Sequence, residues 1–220
     1  MKNRILIATT TFGEFSTNDL FKKLEDNGCE VVRNELGRKY NENELLEIVK
    51  DFDGIIAGTE KYSSTVLGIS KKLKVISRLG VGTDNIDLMS ADKNKIRVLI
   101  TETSPGLAVA ELSLGLMLGL FRRIPFQNHK VKSKVWSKQM GFLLSNKTLG
   151  IIGLGSIGKQ FIYLTRGFNF KILAYDKIRD QKFAEENNIS YCSLDYLLKN
   201  SNVISIHLNL NKKTKNLLNK

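Results

Sequence analysis

Between Leu149 and Asp176 the chain reads LGIIGLGSIGKQFIYLTRGFNFKILAYD, and no other stretch restricts the fold as tightly. The apolar run Leu149–Ile152 predicts a buried strand. Three glycines follow as Gly153-Leu154-Gly155-Ser156-Ile157-Gly158. Phe161, Ile162 and Leu164 then give Ile157–Thr165 an apolar helical face, and Lys171–Ala174 predicts a second strand that runs into Tyr175 and Asp176. The three glycines serve different physical needs. Gly153 permits a tight turn off the strand, Gly155 lets a pyrophosphate approach bare backbone, and Gly158 lets the helix lie close to the sheet. The helix N-terminus offers free N–H groups and partial positive charge to phosphates. Asp176 stands 18 residues beyond Gly158, where a carboxylate reaches the adenosine ribose hydroxyls and repels a 2′-phosphate. The unit therefore predicts a dinucleotide site for NAD rather than NADP, with Lys177 and Arg179 softening that discrimination. The competing reading is a plain βαβ turn with chance glycines.

The flanking sequence repeats the alternation. Strands are expected at Ile5–Ala8, Cys29–Val32, Gly54–Ala57, Val75–Ser77 and Arg97–Ile100, with helices at Asp19–Asn27, Glu42–Lys50, a segment capped by Ser63 or Ser64, and Ile86–Asn94. Most strands are continuous apolar runs, as in parallel sheets covered on both faces. A helix from about Ala108 to Arg123 is apolar nearly all round and is expected to be buried on most sides, with Pro125 ending it. Residues 126–147 are polar, basic and less regular, with Trp136 as an aromatic anchor. Short helices at Lys182–Asn187 and Leu194–Lys199 and a strand at Val203–Ile206 complete the second alternation. The fold class is α/β: two Rossmann/flavodoxin-like doubly wound parallel-sheet domains. The first is expected over 1–100 and the second, NAD-binding one over 101–220.

Composition excludes more than it identifies. Of 220 residues 42% are hydrophobic and 25% charged, which suits a globular chain. The two cysteines, Cys29 and Cys192, form no metal-ligand or CxxC spacing and no disulfide framework, so a reducing, cytoplasmic setting is the simpler reading. The N-terminal apolar run is too short for a signal peptide, and Leu112–Phe121 is about half a membrane span. The net charge of +12 comes from 25 Lys and 9 Arg scattered without a run of five. It fits a Lys- and Asn-rich bias or attraction of an anionic substrate and cofactor; no basic motif interleaved with aromatics supports nucleic acid.

Four stretches carry a family resemblance: SRLGVGTDNID at 77–87, AVAELSLGLMLGLFRRI at 108–124, the glycine motif with its YD at 175–176, and VISIHLNLNKKTKNLLN at 203–219. In their order and spacing they resemble the NAD-dependent D-2-hydroxyacid dehydrogenases, and within them the phosphoglycerate dehydrogenase-like group. The resemblance implies an active site in a cleft between two Rossmann-like domains and hydride transfer between nicotinamide and the C2 of a small D-2-hydroxy acid, with 3-phosphoglycerate (serine biosynthesis) one candidate. It implies that the loop Arg78, Leu79, Gly80, Val81 holds the substrate carboxylate on backbone N–H groups. Exposed amides beside glycines do form anion-binding nests, and a surface salt bridge is the alternative role for Arg78. Asp84, Asn85 and Asp87 are expected to fix this loop and cap the next helix. By the same resemblance Val81, His207 and Leu208 join Gly153, Leu154, Gly155, Ser156, Ile157, Gly158 and Asp176 as cofactor-binding residues; structural hydrogen bonding is the alternative for His207. His129 is expected to be solvated.

The family's catalytic His, Glu and Arg lie beyond the stretch matching 203–219, so no catalytic residue is expected before Lys220. The second domain is then expected to be truncated and the first to lack its C-terminal return helix, with KKTKNLLNK reading as an interrupted helix. Asn209 stands where the family usually has Pro, Ser156 where many members have Arg, and the loop Thr103–Gly106 looks short. The expected partners are a small anionic 2-hydroxy or 2-oxo acid and, for a complete chain, a second copy in a homodimer. Neither nucleic acid nor membrane is expected. The alternative function is a non-catalytic NAD-binding module or sensor.

Overall fold

The computed structural model describes residues 2–14, 19–101, 106–211 and 213–218. The chain divides into two compact units, Met1–Ser104 and Pro105–Lys220.

In the first unit, strands β1 (Asn3–Ile7), β2 (Cys29–Arg33), β3 (Gly54–Ala57), β4 (Val75–Arg78) and β5 (Arg97–Ile100) form one parallel sheet in the order β2-β1-β3-β4-β5. Parallel neighbours need crossovers, and these are the helices α1 (Leu20–Asp26), α2 (Glu42–Ile48), α3 (Ser64–Ile69) and α4 (Leu88–Lys93). Each starts on a side-chain cap that satisfies an otherwise orphaned amide. Asp19 accepts from Lys22 N, Asn41 from Glu44 N, Ser63 from Val66 N and Asp87 from Ser90 N. Ser63, not Ser64, is thus the cap of α3. At α2 the Glu44 carboxylate also returns to the Asn41 amide, which completes a capping box. The hydrogen bond from Arg38 holds that carboxylate far below its usual range, at about 2. Leu6, Ile55, Ile76, Leu45, Leu67 and Tyr62 make the core.

The second unit carries β6 (Thr148–Ile152), β7 (Lys171–Tyr175), β8 (Ile189–Tyr191) and β9 (Val203–Ile206) in the parallel order β8-β7-β6-β9. Its helices are α5 (Gly106–Phe121), α6 (Ile124–Lys132), α7 (Ser156–Thr165), α8 (Gln181–Glu186) and α9 (Leu194–Asn200). Leu149, Ile151, Phe161, Ile162 and Ala174 form its main core, and α5 lies along α7.

Four sequence expectations are corrected. The helix expected at Ala108–Arg123 spans Gly106–Phe121 and is not buried on most sides: Gly106, Ala110 and Met117 face inward, while Leu112, Leu116 and Leu120 are 63%, 65% and 74% exposed. An all-apolar helix has two apolar stripes, and in the single chain one of them stays open. Pro125 does not end that helix. It sits in the first turn of α6, where its missing N–H removes no bond. The helix expected at Ile86–Asn94 is confined to Leu88–Lys93, because Ile86 pairs with Tyr62 in a parallel bridge instead. Residues 213–218 are turns and bends rather than an interrupted helix, with Asn211 and Thr214 exchanging local hydrogen bonds. The positions Thr103, Ser104 and Pro105 of the loop read as short lie outside the described residues.

Candidate functional site

In the second unit the chain leaves β6 at Gly153, whose φ of +96° belongs to the region glycine favours. A Cβ there would lie 2.7 Å from the His207 carbonyl oxygen and 2.9 Å from Leu208 Cδ2, so His207 and Leu208 close one side of the turn. At Gly158 a Cβ would stand 2.5 Å from the Gly153 carbonyl oxygen, which leaves no room for any side chain. Gly155, the N-cap of α7, has nothing within 4 Å of its Cβ position. Open space above bare backbone, at the start of a ten-residue helix, is what a pyrophosphate needs. The first amide of α7 that is engaged within the helix is that of Lys159, which donates to Gly155 O at 3.0 Å. The Ser156, Ile157 and Gly158 amides precede it and point out of the helix end.

Asp176 follows β7 directly. Its Oδ2 accepts the Leu154 amide at 2.7 Å and its Oδ1 the Ile178 amide at 3.1 Å. The carboxylate thus closes the glycine turn from the neighbouring strand and keeps free lone pairs at the lip of a cavity of about 580 Å³ lined by Leu154, Gly155, Lys159, Asp176, Ile178 and Arg179. The sequence did not single out Lys159 and Asp180, which both line this cavity and form an ion pair of 2.5 Å. The Lys159 hydrogen bond, seconded by the Phe183 amide, holds the Asp180 carboxyl below its usual range. Arg179 lays its guanidinium over the Tyr191 ring, 5.4 Å from the centroid. Lys159 and Arg179, which both line this cavity, therefore have partners of their own.

His207 continues β9, its amide donating to Ile152 O at 2.8 Å. The imidazole is turned to protein: Nε2 lies 2.9 Å from Ser205 Oγ and the ring rests against Phe161. Burial pushes its pKa down from the ordinary 6.5. His129 is exposed on α6.

In the first unit the loop after β4 holds Arg78 to Gly82. The Leu79 amide donates to Ala57 O at 2.9 Å and the Gly80 amide to Thr101 Oγ1 at 2.9 Å, while Thr101 N donates back to Gly80 O at 3.1 Å. Among the described residues the Val81 and Gly82 amides have no acceptor, whereas the Leu79 and Gly80 amides, expected to share in anion binding, are already engaged. Arg78 makes no ion pair among the described residues; its Nη1 donates to the Leu79 carbonyl beside it. Asn85 fixes the segment as its sequence suggested, donating from Nδ2 to Gly58 O at 3.2 Å and to Glu60 O at 2.6 Å. Asp87 caps α4. Thr101 and Glu60 were not foreseen. Thr101 is a lone hydroxyl just past a strand, and Glu60 is a single acid in a polar loop; only the folded backbone gives either a partner.

Fold and site together define a dinucleotide-binding α/β protein with a separate loop whose Val81 and Gly82 amides have no acceptor among the described residues. Residues 114–220 match the D-isomer specific 2-hydroxyacid dehydrogenase, NAD binding domain. The hydroxypyruvate reductase of Thermotoga maritima is 35% identical over 181 residues, 81% of this chain and 58% of that protein. The D-3-phosphoglycerate dehydrogenase of Methanocaldococcus jannaschii is 36% identical over 205 residues, 91% of this chain and 38% of that protein. The crystal structure of NAD⁺-bound 3-phosphoglycerate dehydrogenase from Entamoeba histolytica superposes with a TM-score of 0.71 at 32% identity, covering 97% of this chain and 65% of that one. Residues 114–220 thus match the NAD-binding domain of the D-isomer-specific 2-hydroxyacid dehydrogenases, whose cofactor is NAD, and the chain is similar to members of that family over most of its length. It spans less than two thirds of the length of these relatives. Among the described residues no helix is long and apolar enough to cross a membrane.

Proposed function

We propose that this chain serves an NAD-dependent oxidoreductase acting on a small D-2-hydroxy acid. Bound NAD supplies a hydride acceptor for the substrate C2. The chain's own residues do the holding. The α7 amides and the open backbone at Gly155 take the pyrophosphate, Asp176 takes the ribose hydroxyls, and the Val81 and Gly82 amides take the substrate carboxylate. His207 and Leu208 shape the turn that receives the cofactor. The observation that carries this reading is the Asp176 carboxylate, which sits at the cavity lip while locking the glycine turn. Two adjacent unengaged amides match the two oxygens of a carboxylate, and the net charge of +12 favours anionic ligands.

The substrate class is a 2-hydroxy or 2-oxo acid of about three carbons, with 3-phosphoglycerate and hydroxypyruvate the first to test. Calorimetry should show NAD⁺ and ADP-ribose binding with NADP⁺ at least tenfold weaker, and equal affinity for NADP⁺ would remove the role given to Asp176. Titration with oxalate, a 2-oxo acid mimic, should shift the Val81 and Gly82 amide resonances. A homodimer is supported by the open stripe of α5 and by Trp136, 93% exposed in the single chain.

A further inference from the structure

The cavity that Asp176 borders is lined by two cations, Lys159 and Arg179, and by a second carboxylate, Asp180. Lys159 Nζ stands 2.5 Å from Asp180 Oδ2 and 5.0 Å from the centroid of the Phe183 ring. Asp180 is fixed in turn. It is the N-cap of α8, with Oδ1 accepting the Phe183 amide at 3.1 Å, and its own amide donates to the Tyr191 hydroxyl at 3.0 Å. One carboxylate oxygen thus caps a helix and the other takes the lysine.

The side chains of Lys159 and Asp180 are 31% and 41% exposed. A pair so open to water adds little to stability. What it settles is where the Lys159 charge is spent. An ammonium on a flexible four-carbon stem, with three donors that rotate, turns to whatever anion is nearest. Lys159 lies one turn into α7 and lines the same cavity as the Asp176 carboxylate. Unpaired, it would be a ready partner for a phosphate entering that cavity. Paired, it is matched by an anion that the fold itself holds in place.

Capping and charge pairing make different demands on residue 180. A helix cap needs only an oxygen acceptor, and Asn or Ser supplies one as well as Asp does. Holding an ammonium against a competing phosphate needs full negative charge. We propose that Asp180 is a specificity-determining residue of the cofactor cavity: by pairing with Lys159 it withholds that ammonium from a 2′-phosphate, so that two carboxylates, and not Asp176 alone, exclude the phosphorylated dinucleotide. This rests on the reading of the cavity as the adenosine-ribose site.

The test is calorimetry on the full chain with ADP-ribose and with 2′-phospho-ADP-ribose, read as the ratio of the two affinities. Asp180→Asn keeps the cap and loses the charge. The ratio is expected to move at least fivefold towards the phosphorylated ligand, and an unchanged ratio overturns the proposal. Asp180→Ser, a second uncharged cap, is read in the same way if the first variant does not fold. Loss of any negative charge near the cavity also favours a phosphate, so the lysine must be shown to act. Lys159→Met should lower the ratio at least threefold more in the Asp180→Asn chain than in the wild type, because only there is the ammonium free. Equal losses in the two backgrounds would mean independent charges and overturn the proposal. A wild-type chain that binds both ligands equally removes the ribose reading of the cavity, and this inference with it. A wild-type chain that discriminates, with no shift in Asp180→Asn, removes the inference alone.

Discussion

The Asp176 carboxylate accepts the amide of Leu154, 22 residues earlier in the chain and in the middle of the glycine turn. The residue proposed to select the ribose is therefore also a strut of the glycine turn. Asp176→Ala removes both functions. It is expected to weaken NAD⁺ at least tenfold by calorimetry. NADP⁺ should fall less, because the repulsion is relieved as the strut is lost. An unchanged ratio of the two affinities would show that the carboxylate does not face the 2′ position.

Gly155 and Gly158 separate ligand clearance from packing clearance. Gly155→Ala places a methyl in open space. The thermal midpoint should stay near wild type while ADP-ribose binding drops. Gly158→Ala sets a methyl 2.5 Å from the Gly153 carbonyl oxygen. Forcing α7 off the turn should cost about 1–3 kcal/mol, read from denaturant unfolding. Equal stability of the two variants would contradict the assignment.

His207 gives a pH dependence with a defined sign. Burial lowers its folded pKa below 6.5, so the unfolded chain takes up the proton first. The stabilisation is present above about pH 6.5 and is lost as pH falls through the lowered folded value. Unfolding followed between about pH 7.5 and pH 5 should show declining stability in the wild type and a shallower decline in His207→Asn.

The open stripe of α5 predicts association. Leu116→Lys combined with Leu120→Lys should leave the circular dichroism spectrum intact, since both side chains are exposed in the single chain. Sedimentation should move from dimer to monomer. A wild-type chain that sediments as a monomer at micromolar concentration would remove the homodimer.

Legibility in the sequence followed the physics of each signal. Strands β1, β3, β6 and β7 are built on apolar runs bounded by polar or glycine residues, and these were readable. Strand β8, Ile189–Tyr191, is three residues long, too short for periodicity to register. Leu112, Leu116 and Leu120 misled because side-chain polarity reports that a stripe must be covered, not what covers it. Pro125 was ambiguous because the same ring that stops one helix suits the first turn of the next. At the site, Gly153, Gly155, Gly158 and Asp176 were legible because their spacing is itself the geometry. Thr101 was not, since only the sheet order brings the Gly80 amide near it, and Glu60 was not, since its bond to the Gly58 amide two residues away is a local turn with no spacing signal.

The pairing of Gly80 with Thr101 sets the thermodynamics of whatever the loop receives. With Leu79 and Gly80 already tied to Ala57 and Thr101, the conformational entropy of this segment is surrendered when the chain folds, not when an anion arrives. The Val81 and Gly82 donors wait in a fixed frame, as preorganised sites do. A carboxylate docking there should register as an exothermic event with little change in heat capacity, the calorimetric mark of a receptor that does not reorder itself.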